Sequence, residues 1–321
     1  MPVSHTGPAY RALNDSLHAT GLNMCYKKIM VTVSLVKGEK RRDTVRRSLD
    51  FISHGIKKGL KPGKLIIKPN FVSTSVQLAA SHADQIRGIL DYFKEFYDKQ
   101  ITVAEAASPF TGGTSEGFEN FGYHHLAEEY NIELLDLNKG RFEKIPILDK
   151  RGQTVHVRIS SLLLDRNNYI ISAAKLKTHD TVVITLSIKN MVMGSIYASD
   201  KATVHQGYQY TNLNLATMAG SVWPDLAVID GLVGMEGNGP ERGTPIDTGI
   251  AISSTDPLAA DRIACEVMGV DSDKVGYLFY CWEKGFGEYE LENIDVRGHN
   301  LNDCIKPFIL HSSVEEQYKW R

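Results

Sequence analysis

Short β-branched runs alternate with amphipathic segments between residues 30 and 137 of the chain. The runs are typical of buried strands, which we predict at Met30–Val36, Lys64–Lys68, Ile101–Ala104 and Ile132–Leu137. Apolar residues at helical spacing predict helices between them, at Asp43–Lys58 with Asp43 as N-cap, Asp84–Asp98 and Ser115–Tyr130. Strands that alternate with helices pair in parallel through right-handed crossovers. The pattern therefore predicts an α/β fold, with an open, mostly parallel sheet covered by helices on both faces.

The second half of the chain continues this pattern less regularly. Asp149–Gly152 predicts the turn of a hairpin, and strands are predicted at Asn168–Ser172, Val182–Leu186, Leu226–Ile229 and Ile250–Ser253. Helices are predicted at Thr211–Val222 and at Pro257–Met268, the latter capped by Asp256. The length of 321 residues favours two α/β lobes around a cleft. We place the lobes at residues 29–150 and 151–321, after a loosely attached arm at residues 1–28.

Composition narrows the function classes. The 36 basic and 38 acidic residues give a net charge of −2, which argues against a nucleic-acid or anionic-membrane partner. No apolar run approaches the roughly 20 residues of a spanning helix, and the first 28 residues have no apolar core of a signal peptide. We therefore expect a cytoplasmic protein. The four cysteines are scattered singly, so an iron–sulfur cluster or zinc ribbon is not expected.

Lysines stand at the ends of three predicted strands. They occur in Lys68-Pro69-Asn70, in Lys175-Leu176-Lys177-Thr178-His179 and in Lys189-Asn190. Alternation in an extended segment predicts that Lys175, Lys177 and His179 lie on one side. Ligands of open α/β sheets bind beyond the carboxyl ends of the strands. We therefore predict that these cations and amides converge on a pocket for a carboxylate or a phosphate.

A glycine-rich loop is predicted from Gly231 to Thr244, directly after the strand that ends at Asp230. Glycines allow positive φ and close backbone approach, so Gly237 and Gly239 are candidates for binding an anion through backbone amides. The spacing is neither that of a dinucleotide-binding turn nor that of a P-loop. Asp230 and Glu236 flank the loop and are candidates for a divalent-cation site or for a base.

A metal site built from histidines and carboxylates of separate loops is an alternative that the sequence leaves undecided. His82, Glu105 and Asp230 are the candidate metal ligands, in a pattern of imidazole and carboxylate that suits several transition metals. No local pair of histidines at helical spacing supports this alternative. The cofactor is therefore left open, with a divalent metal as one alternative.

The same segments resemble the proteins that carry domain of unknown function 362. The resemblance runs from about Val31 to Gly298. Its most specific parts are the lysine–histidine motif and Met235-Glu236-Gly237-Asn238-Gly239-Pro240. The other matching residues are Lys68-Pro69-Asn70, Ser81-His82, Glu105, Phe121-Gly122-Tyr123, Thr185 to Asn190, Gly194, His205, Asp230-Gly231, Gly243, Asp256-Pro257 and Asp261. Ala83 departs from the family pattern, where a proline is usual.

The resemblance implies little about activity. Some family members carry ferredoxin-like cysteine clusters, and this sequence lacks them. The arrangement is also distantly similar to the lactate racemase group, whose members use lysines and histidines around a nickel-containing cofactor in an interdomain cleft. That likeness is an analogy of fold.

The leading hypothesis is an enzyme that acts on a small anionic molecule by proton transfer, as an isomerase, racemase or lyase does. Cations neutralise the substrate and an acid and a base move the proton. The candidate catalytic residues are Lys177, His179, His205 and Glu236. The candidate substrate-binding residues are Lys68, Asn70, Lys175, Lys189, Asn190, Gly237 and Gly239.

Two alternatives remain open at this point. The first is a metal-dependent phosphoryl or acyl transferase or hydrolase that uses the glycine-rich loop as a phosphate cradle, with Asp230 and Glu236 as metal ligands. The second is a protein without catalysis that carries a metallocofactor or partners a redox complex. The oligomeric state is open, and a homodimer is one alternative.

Overall fold

One mixed sheet of nine strands forms the centre of the part of the chain that is described. The computed structural model describes residues 30–108 and 112–321. The arm predicted at residues 1–28 lies outside the described residues. A separate two-stranded hairpin packs beside the main sheet.

The strands and helices are numbered in chain order. The strands are β1 Val31–Lys37, β2 Leu65–Lys68, β3 Ile101–Glu105, β4 Ile132–Asp136, β5 Phe142–Leu148, β6 Thr154–Ser160, β7 Tyr169–Thr178, β8 Ile184–Thr185, β9 Leu226–Glu236, β10 Thr244–Ser254 and β11 Ile294–Gly298. The helices are α1 Arg41–Asp50, α2 Ser53–Gly59, α3 Ala83–Phe93, α4 Thr114–Asn120, α5 Tyr123–Glu129, α6 Ser161–Leu164, α7 Ser187–Ser195, α8 Lys201–Val204, α9 Gly207–Ala219, α10 Pro257–Met268, α11 Gly276–Glu283 and α12 Val314–Gln317.

The strand order is β11-β1-β10-β9-β7-β2-β3-β4, with the short β8 paired to β7. The run β9-β7-β2-β3-β4 is parallel throughout. On the other side β10 is antiparallel to both β9 and β1, whereas β11 is parallel to β1. The predicted mostly parallel sheet is therefore confirmed, with an antiparallel insertion at β10.

Helices cover both faces of the sheet, as predicted. Alternation along β2 turns Leu65 and Ile67 toward one face and Ile66 toward the other. The first face packs against α1 to α5, and the second against α7, α9, α10 and α11. Each face therefore has its own buried core, and strands that are covered on both sides need the continuous apolar runs seen in the sequence.

Two predicted helices are each broken in two. The helix expected at Asp43–Lys58 is interrupted at Phe51 and Ile52 and forms α1 and α2. Asp43 was expected to be its N-cap, but it lies in the first turn of α1, which begins at Arg41. The helix expected at Ser115–Tyr130 breaks at Gly122, whose φ of 70° is left-handed and ends a right-handed helix. Asp256 does cap α10, where it accepts bonds from the Leu258 and Ala259 amides.

The strands around the lysine and glycine motifs are longer than predicted. β7 continues through Thr178, so Lys175 and Lys177 lie within the strand instead of after it. β9 continues to Glu236, and the glycine-rich turn contains only residues 237–243. Gly231 and Gly234 are strand residues, where a Cβ would lie 3.0 Å or less from an atom of a neighbouring residue. Close packing rather than an anion nest accounts for these two glycines.

The predicted boundary between lobes at residue 150 does not separate two sheets. β1 comes from the first predicted lobe, and it pairs with β10 and β11 from the second. The predicted hairpin around Asp149 is present: β5 and β6 pair in antiparallel register, and the Asp149 amide donates to the Gln153 carbonyl at 2.9 Å.

Candidate functional site

A cavity of about 320 Å³ opens at the carboxyl ends of the parallel strands β2, β3 and β7. Its walls come from the loops after these strands, from α7 and α8 and from the turn between β9 and β10. This is the position that open α/β sheets use for ligands. Residues that line it and bear on its chemistry are Asn70, Glu105, Ser108, His179, Asp180, Lys189, Lys201, His205 and Glu241.

Lys189 enters the cavity from the first turns of α7. Asp261, on α10, holds the start of this helix by accepting bonds from the Ser187 and Ile188 amides at 2.8 and 3.0 Å. The Lys189 side chain is buried, and no hydrogen bond or ion pair joins its ammonium to another described residue. Burial lowers the pKa of Lys189 to about 8. Among the described residues, the Lys189 ammonium therefore has no directly bonded partner, and Asp180 is the carboxylate whose charge acts on it.

A buried ion pair lies under the same helix. Lys68 Nζ is 2.6 Å from Glu105 Oε2, and the two side chains are 0% and 2% exposed. α7 crosses directly above, because Gly194 has no side chain: a Cβ there would lie 1.9 Å from Lys68 Nζ. Burial raises the pKa of Glu105 and lowers the pKa of Lys68, and the attraction between the two charges opposes both shifts. Glu105 lines the cavity, with Lys68 behind it.

Two asparagines connect this ion pair to a second buried lysine. Lys177 Nζ donates to Asn70 Oδ1 and to the Ala79 carbonyl, both at 2.7 Å. Asn70 Nδ2 donates to Asn190 Oδ1, which also accepts from Lys68 Nζ at 3.0 Å. An ammonium only donates, so the lysines at the two ends fix which way each amide faces. Asn70 Oδ1 therefore accepts from Lys177, and Asn70 Nδ2 keeps one hydrogen beyond its bond to Asn190.

His179 follows β7 and is 4% exposed on the cavity wall. Burial and the nearby Lys189 charge lower the pKa of His179 well below 6.5, so the ring is neutral at pH 7. Nδ1 accepts from the Thr181 amide at 3.0 Å. Asp180 Oδ1 also lies 3.0 Å from Nδ1. We assign the ring proton to Nε2, because the bond from the Thr181 amide requires Nδ1 to accept.

The rim of the cavity adds groups of both charges. Lys201 donates from Nζ to the carbonyl of Ala106, and burial lowers the pKa of this lysine to about 8. His205, Asp180 and Glu241 are exposed lining residues. Glu105 is the only buried carboxylate among the lining residues that the structure describes.

Lys175, Asp230 and His82 lie outside this cavity, contrary to the prediction that Lys175 shares a site with His179. A register shift separates Lys175 from Lys177 along β7. Lys175 Nζ donates to the Val233 carbonyl at 2.8 Å and lies 3.6 Å from Asp230 Oδ2. Arg41 Nε donates to the same Asp230 oxygen at 2.8 Å. Asp230 is therefore already neutralised by two cations.

Glu236 and two glycines of the turn are also placed differently from the prediction. Glu236 Oε2 accepts from the Ile309 amide at 2.9 Å, so it binds the C-terminal part of the chain rather than the cavity. The Gly237 amide donates to the Ile309 carbonyl at 2.6 Å, and Gly239 packs against the backbone of Thr178. The neighbouring Glu241 lines the cavity instead.

The predicted metal ligands do not form one site. Glu105 pairs with Lys68, Asp230 pairs with Arg41, and His82 caps α3 by accepting from the Asp84 amide. Across residues 30–108 and 112–321, no group of three or more His, Cys, Asp or Glu side chains is arranged to hold a metal ion.

Three site residues were not predicted as functional. Lys201 lies in a segment without an apolar strand before it, so the strand-end pattern could not select it. Glu241 lies in the predicted glycine-rich loop, where Glu236 was selected instead. Asp261 acts from a distant helix by capping α7, and its only sequence signal was its place in the family resemblance.

Comparison with known proteins agrees with the resemblance seen in the sequence. The chain is 26% identical over 219 residues to the thylakoid-associated protein sll1697 of Synechocystis sp. (strain ATCC 27184 / PCC 6803 / Kazusa), which covers 66% of this chain. The chain spans 65% of the length of that relative. In the part of this chain that is described, no helix is long and apolar enough to cross a bilayer.

Among solved structures, the chain is similar to the lactate racemase apoprotein from Thermoanaerobacterium thermosaccharolyticum. The TM-score is 0.48 and the sequence identity 14%, over 76% of this chain and 58% of that one. The sequence model described as Domain of unknown function (DUF362) matches residues 65–266, which is more than half of the chain. These residues include β2, β3, β7 and α7, which carry most of the cavity wall. The chain therefore belongs to the DUF362 family.

Proposed function

We propose that the protein is an enzyme that binds a small anionic molecule in this cavity and moves a proton on it. The observation that carries the proposal is the Lys189 ammonium, which is buried in the cavity wall and has no hydrogen bond or ion pair with another described residue; the exposed Asp180 is the carboxylate whose charge acts on it. A buried charge is costly unless it is paired. A bound carboxylate or phosphate would supply the missing partner.

The charge balance around the cavity supports an anionic ligand. Lys68, Lys177 and Lys189 are all at most 5% exposed, and Glu105 is the one buried carboxylate that lines the cavity in the described chain. Of these lysines only Lys189 lines the cavity, and burial lowers the pKa of Lys177 well below its usual value. The polar groups left on the wall are mostly donors, because Asn70 retains its amide nitrogen and His179 its Nε2 proton. Carboxylates and phosphates are rich in acceptors and fit such a wall.

The wall also contains groups suited to proton transfer. A pKa of about 8 lets Lys189 exist in both protonation states near neutral pH, which is what a general acid or base requires. His179 is neutral and offers an Nε2 proton, and the pKa of Glu105 is raised by its burial. The Lys189 ammonium would stabilise the negative charge that develops when a proton leaves carbon next to a carboxylate.

Size and polarity narrow the substrate. A volume of about 320 Å³ is at the lower end of the range for ligand sites. Phe71, Val72 and Met193 form an apolar part of the wall. We therefore favour a small carboxylate with a short apolar arm over a nucleotide.

Binding is tested by isothermal titration calorimetry with 2-hydroxybutyrate, 2-oxobutyrate and inorganic phosphate as probes. We expect Lys189→Met to weaken binding of a probe by about 10- to 100-fold, as expected for loss of a charged hydrogen bond. Lys58→Met, at an exposed lysine of α2, is the matched control and should bind as the wild type does. Absence of binding by every probe, or equal affinity in both variants, would refute the proposed ligand class.

Proton transfer is tested by proton NMR in D₂O with 2-hydroxybutyrate, the probe that has a proton on the carbon next to its carboxylate. The wild type should exchange the carbon-bound proton next to the carboxylate faster than buffer alone, and His179→Gln should slow this exchange by about 10²-fold or more. A bound probe that exchanges no faster than in buffer would refute the catalytic part of the proposal.

A further inference from the structure

The C-terminal segment, residues 309–317, lies beyond the residues matched to the family and contacts both parts of the chain that close the cavity. At one end, Ile309 bonds with Glu236 and Gly237, next to the turn that supplies Glu241. At the other end, the side chain of Gln317 reaches the turn that follows His179. One segment therefore joins two cavity walls.

The turn after His179 contains an unusual backbone conformation. Val183 has φ of 69°, which is the left-handed region, and it is the only such residue other than glycine in the described chain. A β-branched side chain is especially disfavoured there. The Val183 carbonyl accepts from the His179 amide at 2.8 Å, so the conformation at Val183 sets the position of His179.

Gln317 holds this conformation from the other side. Its side chain is fully buried, and Oε1 accepts from the Val183 amide at 2.6 Å. Gln317 Nε2 donates to Ser313 Oγ at 3.1 Å, and Ser313 Oγ donates to the Asp180 carbonyl at 3.4 Å. The two ends of the turn, Asp180 and Val183, are therefore attached to α12 and to Ser313, the residue that precedes it.

We propose that Gln317 is a positioning residue for His179 and that the C-terminal segment is a working part of the site. The inference rests on the proposed function, in which His179 is the proton donor. Strained backbone persists only where its surroundings hold it, and here the holding group comes from outside the matched family region.

The electrostatic surroundings of His179 come from several elements. The charged and titratable groups that act on its ring are Lys177, Asp180, Lys189, His205 and His311. His311 belongs to the C-terminal segment, so moving that segment also changes the field at the ring. The pKa of His179 is therefore a direct measure of whether the segment is in place.

The test compares Gln317→Ala with the double variant Gln317→Ala/Val183→Gly in protein with labelled histidines. His179 is assigned by its loss in His179→Gln, and its ring signals are followed against pH by NMR. Gln317→Ala should raise the pKa of His179 toward 6.5, because the turn opens to water. Glycine adopts left-handed φ without steric cost, so the double variant should restore the wild-type pKa.

Exchange rates on the probe carboxylate give the second measurement. Displacement of His179 should slow exchange by about 10²-fold in Gln317→Ala, with recovery in the double variant. The control Glu315→Ala, at an exposed residue of the same helix, should change neither quantity. If Gln317→Ala does not fold, Ser313→Ala loosens the same contacts and should shift the pKa in the same direction.

An unchanged pKa of His179 in Gln317→Ala, or a changed value that Val183→Gly does not restore, would overturn the positioning role. These results are independent of turnover. A wild type that binds and exchanges no probe refutes the proposed function, while the titration of His179 still decides whether Gln317 positions it.

Discussion

Replacement of Lys68 by methionine tests the buried ion pair beneath the cavity. Lys68→Met removes the cation and leaves the Glu105 carboxylate buried at 2% exposure without its partner. Breaking a buried pair in this way costs about 3–5 kcal/mol of unfolding free energy, because an uncompensated charge remains. The same change deprives Asn190 Oδ1 and the Pro69 carbonyl of a donor, so the upper part of this range is expected.

The loss should depend on pH with a definite sign. Burial already raises the pKa of Glu105, and removal of Lys68 raises it further. A carboxyl group whose folded pKa is above its unfolded value stabilises the fold at low pH, and that contribution is lost as pH rises through the folded pKa. Lys68→Met should therefore be closer to the wild type at pH 5 than at pH 8. The double variant Lys68→Met/Glu105→Gln should recover most of the loss at pH 8.

Urea unfolding at both pH values measures these differences. The matched control is Lys64→Met, just before the same strand, where Nζ lies 3.4 Å from Glu133 Oε2 and the side chains are 54% and 39% exposed. Exposed pairs contribute about 0–1 kcal/mol, so this control should change little. A loss below about 1 kcal/mol in Lys68→Met, or equal losses at pH 5 and pH 8, would refute the reasoning.

Two further changes test how α7 is placed. Gly194→Ala puts a Cβ 1.9 Å from Lys68 Nζ, which should cost about 1–3 kcal/mol of unfolding free energy, measured in urea. The control is Gly55→Ala, where the nearest atom is 3.4 Å away, and this variant should be as stable as the wild type or more stable. Equal effects of the two substitutions would contradict the argument from packing. Burial raises the pKa of Asp261 from 3.8 to about 8, so the stability that it contributes is largest below pH 4 and is lost as pH rises toward 8. Asp261→Asn should flatten this dependence between pH 5 and pH 8, and an unchanged slope would show that another group titrates.

The sequence predicted the cavity through its strand ends. Lys68, Asn70, His179 and Lys189 follow apolar strands, and parallel strands bring their carboxyl ends to one edge. This reasoning placed Asn70, His179 and Lys189 at one site, because it needs only the order of the elements. Asn70, His179 and Lys189 are far apart in the sequence and meet only in the folded sheet.

The sequence pattern does not predict strand register or contacts between residues that are far apart in the chain. Lys175 and Lys177 differ in their partners because β7 has a register shift between them, and a local pattern has no means of locating such a shift. Glu236 was assigned to the site because it lies beside glycines, but its oxygen bonds to Ile309, 73 residues later. Gln317 has no sequence signal, because its role depends on the backbone conformation of Val183.

The place of β1 in the sheet has a consequence for how the protein is made. β1 lies between β10 and β11, and Ser254 Oγ bonds to the Thr32 carbonyl across 222 residues of sequence. During synthesis β1 therefore has no strand partner until β10 and β11, more than 200 residues later, have been made. Such non-local pairing slows folding and prolongs exposure of an unpaired apolar strand. The newly made protein should thus depend on chaperones until β11 leaves the exit tunnel.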